Sequence, residues 1–230
     1  MSYTKSAIEQ LIKNADSILQ ETINDNDLTN TLECLNGIIK IGELISIKSP
    51  ETNYYWNEIS SEAISVVYAS ISGHNRLALS GLRNILELSC HAFYYYDHIV
   101  ELKLSINEDS KADKYVSSLI NNHHFFTTKY IKTFNDEIIT LEKEQDSISK
   151  FLAKEYAQLC DIVHGRNSTL FKKEELVIKY SKKEFQKFNV KYINLAGIIS
   201  TMYILRFQDK THNDLNKLAM KTNTLKEIHE

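Results

Sequence analysis

Apolar residues recur every three or four positions over long stretches of this chain, and short polar breaks separate those stretches. That is the period of helices, not of strands. Residues 4–24 carry Ala7, Ile8, Leu11, Ala15, Ile18 and Leu19 at this spacing, and Asp25 or Asn26 can close the helix. A second helix is predicted over about 27–47, with Leu28, Leu32, Leu35, Ile38, Ile39 and Leu44, before Pro50 ends it. Asn53 can start a third through Ser72, Gly73 breaks it, and a long helix follows at about 74–104. A polar turn over 107–113 leads to helices at about 111–122 and 127–144. Further helices are predicted at about 148–164, 182–208 and 212–228, with an irregular segment up to about 180. No segment repeats another, and no linker is rich in Pro, Gly or Ser. The pattern therefore predicts one all-α domain over 1–230, a bundle of eight or nine helices around a buried central helix at about 74–104.

Composition sharpens this reading. One proline and six glycines are too few for the frequent turns of a sheet protein. A hydrophobic share of 43%, with 13 tyrosines and 9 phenylalanines, is ample for a packed core. The formal charge of −3 exerts no global pull on nucleic acid or acidic membranes, so any polyanion binding must be local. Cys34, Cys90 and Cys160 are widely spaced within apolar helical patterns and read as buried free thiols of a reducing compartment. The first residues are amphipathic, with no continuous hydrophobic signal region. The longest nearly apolar run, 195–205, is about half the roughly 20 residues of a membrane span. A soluble, cytoplasmic protein with no membrane partner is expected.

The central helix carries the first candidate chemistry. At about 100° per residue, Arg76, Ser80, Arg83, Asn84, Glu87, His91, Tyr94 and His98 gather into a stripe under roughly a third of a turn wide. Nearly everything else on the wheel is apolar, so the helix must be enclosed by others. Arg83 and Glu87 stand at i and i+4, where two helical side chains meet. They read either as a structural ion pair or as a catalytic or ligand-binding stripe with His91 as titrating neighbour.

A second candidate closes the helix at 148–164, in "YAQLCDIVHGRNSTLF". His164 is expected on its inner side, Gly165 suits a left-handed cap, and Arg166 and Asn167 follow on a loop. His164 is either a core histidine bonded to Tyr156 or Glu87, or a titrating site group. Downstream, residues 172–191 hold seven lysines against three glutamates, with Phe171, Tyr180, Phe185, Phe188 and Tyr192 interleaved. Lys172, Lys173, Lys179, Lys182, Lys183 and Lys187 form either a phosphate-neutralising RNA surface with stacking aromatics or the solvated face of an amphipathic helix.

No Walker loop, G-x-G-x-x-G, G-x-S-x-G or C-x-x-C occurs. Cys160–His164 and Glu87–His91 are each spaced to share a metal but lack recognisable third and fourth ligands, and His123-His124 has no ligand partner nearby. Neither a metal nor another cofactor is expected.

"SGLRNILELSCHAFYYY" together with "YAQLCDIVHGRNS" resembles the HEPN-type and abortive-infection-like helical proteins of prokaryotic phage defence and toxin–antitoxin systems. The likeness lies in an Arg-x-x-x-Glu on a buried central helix and a Tyr…His-Gly ending a later one, together about 50 residues. It implies an HEPN-like core at about 54–208, with an N-terminal helical pair at 4–47 and a C-terminal helix at 212–228. It further implies a homodimer, a partner protein or antitoxin, and metal-independent RNA cleavage by an Arg-x(4–6)-His signature in a dimer cleft. There the histidine moves the proton of the ribose 2′-hydroxyl and arginine stabilises the phosphorane. Seven residues separate Arg83 from His91, one too many, whereas Arg206 and His212 in "RFQDKTH" match with five between, Phe207 standing where a polar residue is common. The resemblance thus offers two catalytic sets, Arg83, Glu87, His91, His164 and Arg166, or Arg206 and His212. Some members of the group are binding or scaffold modules without nuclease chemistry, which leaves a structural Arg83–Glu87–His164 network as the alternative.

Overall fold

The computed structural model describes residues 4–108, 115–135, 148–164 and 178–222, and all its regular structure is helical. Ten α-helices run in chain order among these residues: α1 Lys5–Asp25, α2 Thr29–Lys48, α3 Asn53–Ile71, α4 Asn75–Asp97, α5 Ile99–Asn107, α6 Val116–His123, α7 Thr128–Ile131, α8 Ile148–Val163, α9 Lys182–Phe207 and α10 Asn213–Lys221. A 3-10 turn, Pro50–Thr52, joins α2 to α3. The helical spacing, and the breaks at Asp25, Pro50 and Gly73, thus correspond to real elements.

α3 and α4 form the most extensive helix pair, and glycines at their corner and on α4 make room for it. Gly73 takes a left-handed φ of 81° at the corner, where a β-carbon would also crowd Ile18 and Ile178. Along the contact, a β-carbon at Gly81 would fall 2.3 Å from Val66 Cγ1. α2 packs on α3 and α9, making it a full member of the core, while α1 touches α3 and α9 near its C-terminal end.

α4 and α9 are the two inner helices. α4 is flanked by α3, α8 and α9, and α9 by α2, α4, α8 and α10. From Leu195 to Leu205 every residue of α9 is buried, which explains the long apolar run: a helix covered on all sides must be apolar on all sides. No helix among the described residues is long and apolar enough to cross a membrane.

Two expectations about element boundaries change. The helix predicted over about 74–104 ends at Asp97, His98 leaves helical geometry (φ −128°, ψ 50°), and α5 begins at Ile99. Side chains make this break: the His98 ring stacks on Tyr94 at 4.0 Å, and its Nδ1 lies 2.8 Å from the Tyr94 carbonyl. The helix predicted at about 127–144 is the short α7, capped by Thr127, followed by a turn; its continuation over 136–147 lies outside the described residues. Just before it, "HHFF" is a strained turn with His124 and Phe126 at positive φ, and it drives Phe125 and Phe126 into full burial.

Candidate functional site

The polar stripe of α4 runs between α3 and α8 and borders solvent narrowly, with Arg76 and Asn84 exposed and Ser80, Arg83, Glu87 and His91 half-buried. Arg83 and Glu87 meet as their spacing predicts: Arg83 Nη2 donates to Glu87 Oε1 at 2.7 Å. α8 completes the group. The Tyr156 hydroxyl donates to the same Glu87 oxygen at 2.7 Å and accepts from Arg83 Nη2 at 3.3 Å. Arg83 Nε donates to Cys160 Sγ at 3.3 Å, and the guanidinium lies 5.6 Å from the Tyr156 ring centre. Residues 156 and 160 are one turn apart on α8, as 83 and 87 are on α4, so two facing turns lock together.

The electrostatics follow from this closure. Burial alone would weaken the Arg83 cation, but the bonds to Cys160 and Tyr156 and the Glu87 charge outweigh it and hold the guanidinium charged. Burial first, and then the bond to Glu87, push the Tyr156 hydroxyl above the usual phenol range. The group is therefore an ion pair with a neutral phenol and a thiol as further partners. The side chains of Arg83 and Glu87 keep 19% and 20% of their surface exposed.

His164 does not join it. The expectation that it turns inward is corrected: it is exposed at the end of α8, one turn beyond Cys160, whose carbonyl accepts its backbone N–H at 2.9 Å. Leu159 is the last fully buried residue of α8; residues 160–163 are half-buried, with Ile162 still packed on the core. His91 sits half-buried a turn beyond Glu87, beside the stacked rings of Tyr55 and Tyr95 at 6.1 and 6.5 Å. Arg166 lies outside the described residues.

Arg206 and His212 are not brought together on a common group; each is held by a carboxylate of its own. Arg206 grips Asp97 with two nitrogens, Nε at 3.0 Å and Nη2 at 2.5 Å, while Tyr130 also donates to that carboxylate. The rings of Tyr96 and Phe134 flank the guanidinium, each 4.9 Å from its centre. Burial, reinforced by Asp97, pushes the Tyr130 hydroxyl up. His212 Nε2 lies 3.4 Å from Asp209, which also accepts from the Tyr203 hydroxyl at 2.7 Å. Bonds from Thr211 above all, and then from Tyr203, pull the Asp209 carboxyl down to about 2.

Among the lysines, Lys172 and Lys173 lie outside the described residues, and Lys179, Lys182, Lys183 and Lys187 are exposed. Lys182 pairs with Asp25 at 3.3 Å and Lys187 with Glu184 at 3.8 Å. Of the interleaved aromatics, Phe185, Phe188 and Tyr192 are buried core anchors, the half-buried Tyr180 donates to Asp25, and Phe171 lies outside the described residues. Phe185, Phe188 and Tyr192 are closed to base stacking.

The thiols also separate. Cys34 and Cys90 are buried, and burial pushes Cys34 up to about 12, while Cys160 is only half-buried, contrary to the expectation for all three. Among the described residues no cluster of three or more His, Cys, Asp or Glu is placed to hold a metal ion. Sequence reasoning missed Asp97 and Tyr130 as partners of Arg206; they are distant along the chain, and no spacing rule connects them. Comparison of the chain with protein-family models, with curated proteins and with solved structures found no match.

Proposed function

We propose that this chain is a non-catalytic helical interaction or scaffold module, of the HEPN-like kind its sequence resembles, serving a prokaryotic defence or toxin–antitoxin system. The observation that carries this reading is the closure of the Arg83 group: Glu87 Oε1 accepts from both Arg83 and Tyr156, and Cys160 takes a further Arg83 nitrogen. An arginine meant to stabilise a phosphorane needs donors free for the phosphate. Here three of the five guanidinium N–H groups, on Nε and Nη2, are committed to fastening α4 to α8. The second candidate arginine, Arg206, is likewise held in a fork by Asp97 and covered by rings. On this reading the chain works through its surfaces, toward a partner protein or a second copy.

One observation favours a second reading, a metal-independent endoribonuclease. Arg83 and Glu87 retain about a fifth of their surface, and His164 is exposed one turn beyond the cysteine that touches Arg83. RNA bound along that edge would meet a proton-transfer group and a cation in sequence. Purified protein incubated with mixed cellular RNA in EDTA, beside His164→Ala and His212→Ala, separates the two readings. The module reading expects no cleavage by the folded wild type. Cleavage that disappears in one variant only would overturn it and locate the site.

A further inference from the structure

The least accounted-for surface is the beginning of α1. From Thr4 to Lys13 the described side chains are all exposed, and Ile8, Leu11 and Ile12 are 52%, 48% and 58% exposed. Only the second half is seated: Ile18 and Thr22 are buried, and Asp25 is tethered by Lys182 and Tyr180. On the helical wheel Ile8, Leu11, Ile12, Ala15, Ile18, Leu19 and Thr22 form one continuous stripe. The body covers its C-terminal half and leaves the N-terminal half bare. The bare half of the stripe is an exposed apolar face, which calls for a partner.

The charges beside the stripe say which partner. Over residues 5–16, beside the bare half, they read Lys5, Glu9, Lys13, Asp16, alternating in sign with no net charge. On the wheel all four lie on one side, and Lys5 and Asp16 border the edge marked by Ile12. Two copies crossing antiparallel about Leu11 place Lys5 against Asp16 and Glu9 against Lys13, each twice, by symmetry. Antiparallel pairing also sets this flank of one helix against the same flank of the other, which the one-sided arrangement requires. In a parallel pair this flank would instead face the opposite, uncharged flank of the partner, that of Gln10 and Asn14, and the charges would find no complement. From Lys5 to Asp16 the helix runs about 17 Å, long enough for three apolar layers.

We infer that the exposed half of α1 is a self-association surface, taking the same segment of a second copy in antiparallel orientation about a two-fold axis at Leu11. The inference rests on the interaction-module reading and names its partner. The contact is isologous and closed, so it gives dimers and not filaments. Three apolar side chains per copy make an interface well below the standard roughly 1,600 Å². Association is therefore in the micromolar range and weakens with salt.

Sedimentation velocity on the whole chain, from micromolar to sub-millimolar concentrations, tests this with Leu11→Lys, Lys5→Glu and Asp16→Lys. All three positions are exposed, and unchanged far-UV circular dichroism checks the fold. Leu11→Lys should abolish the dimer. Each charge reversal alone should weaken it about ten-fold, by turning two attractive contacts repulsive. Mixing Lys5→Glu protein with Asp16→Lys protein should restore association, because both contacts are attractive again only between unlike copies. A wild type that stays monomeric throughout, a dimer indifferent to these substitutions, or a mixture that fails to restore pairing would overturn the inference. None of these results bears on RNA cleavage, so the failure of this surface and that of the module reading are read separately.

Discussion

Replacing Asp97 by asparagine removes the charge from the anchor that holds the end of α4 to α9. In the native protein Asp97 accepts two bonds from Arg206, at 3.0 and 2.5 Å, and one from the Tyr130 hydroxyl. The side chains of Asp97 and Arg206 are 19% and 23% exposed. A fully exposed ion pair contributes at most about 1 kcal/mol, whereas breaking a buried one by removing one partner costs roughly 3–5 kcal/mol. Three-quarters burial, a forked geometry and retained hydrogen bonding from the amide place Asp97→Asn between these, at about 2 kcal/mol. For a chain of this size that is a fall in Tm of about 4–8 °C. Urea denaturation measures it directly, and Asp214→Asn serves as the contrast. Asp214 bonds Lys40 at 3.0 Å with 53% of its side chain exposed and should change stability by less than about 0.5 kcal/mol. Because the Arg206–Asp97 pair is shielded between rings, raising the salt from 0.1 to about 1 M should leave most of the difference in place. If Asp97→Asn were no more costly than Asp214→Asn, burial and ring contact would not be what gives this pair its strength, and the reasoning would fail.

Gly81→Ala tests the α3–α4 contact: its β-carbon would lie 2.3 Å from Val66 Cγ1 and 2.5 Å from Glu62 Oε1, so Glu62 must swing away and Val66 or the helices must shift. The expected cost is about 1–3 kcal/mol in a denaturant titration. Asp209, drawn down to about 2 from 3.8, contributes stability that is present above the unfolded value and is lost as the pH falls from about 4 toward 2. Asp209→Asn should therefore flatten the acid limb of a stability profile over that window while leaving its neutral limb parallel to wild type. Among the thiols, Cys160 should react first with an alkylating reagent at neutral pH, and Cys34 and Cys90 only on unfolding, read by mass spectrometry of the labelled peptides.

The helices were legible because their signals are local. The spacing of Ile38, Ile41 and Ile45, or of Phe185, Phe188 and Tyr192, states which face is buried wherever the partner helix lies. The Arg83–Glu87 pair was legible for the same reason, since four residues on one helix determine a meeting. The break at His98 was not, because it is made by stacking on Tyr94 and by the pull of Arg206 and Tyr130 on Asp97, with no glycine or proline to announce it. His164 misled for a different reason. A wheel assigns a face to every residue of a helix, but it does not say how far along the axis the neighbouring helices cover it, and the cover of α8 thins to half-burial over residues 160–163 and leaves His164 exposed. The aromatic residues after Tyr180 carried two readings, stacking surface or core, that share one spacing; only the packing of α9 against the body separates them. Nothing in the order of residues joins Asp97 to Arg206, which meet through the packing of α4 on α9.

The central claim is that Arg83, Glu87 and Tyr156 fasten α4 to α8, and a double-mutant cycle between Glu87→Met and Tyr156→Phe tests it most directly. Tyr156→Phe should cost about 1 kcal/mol and Glu87→Met about 2 kcal/mol, the larger because Arg83 is left charged without its carboxylate. Their coupling should be about 1 kcal/mol. Catalytic groups are typically kept at some expense of stability, and replacing them commonly stabilises a fold. Additive effects, or a gain in stability from Glu87→Met, would contradict the fastening and point to a site whose polar groups are held there for chemistry.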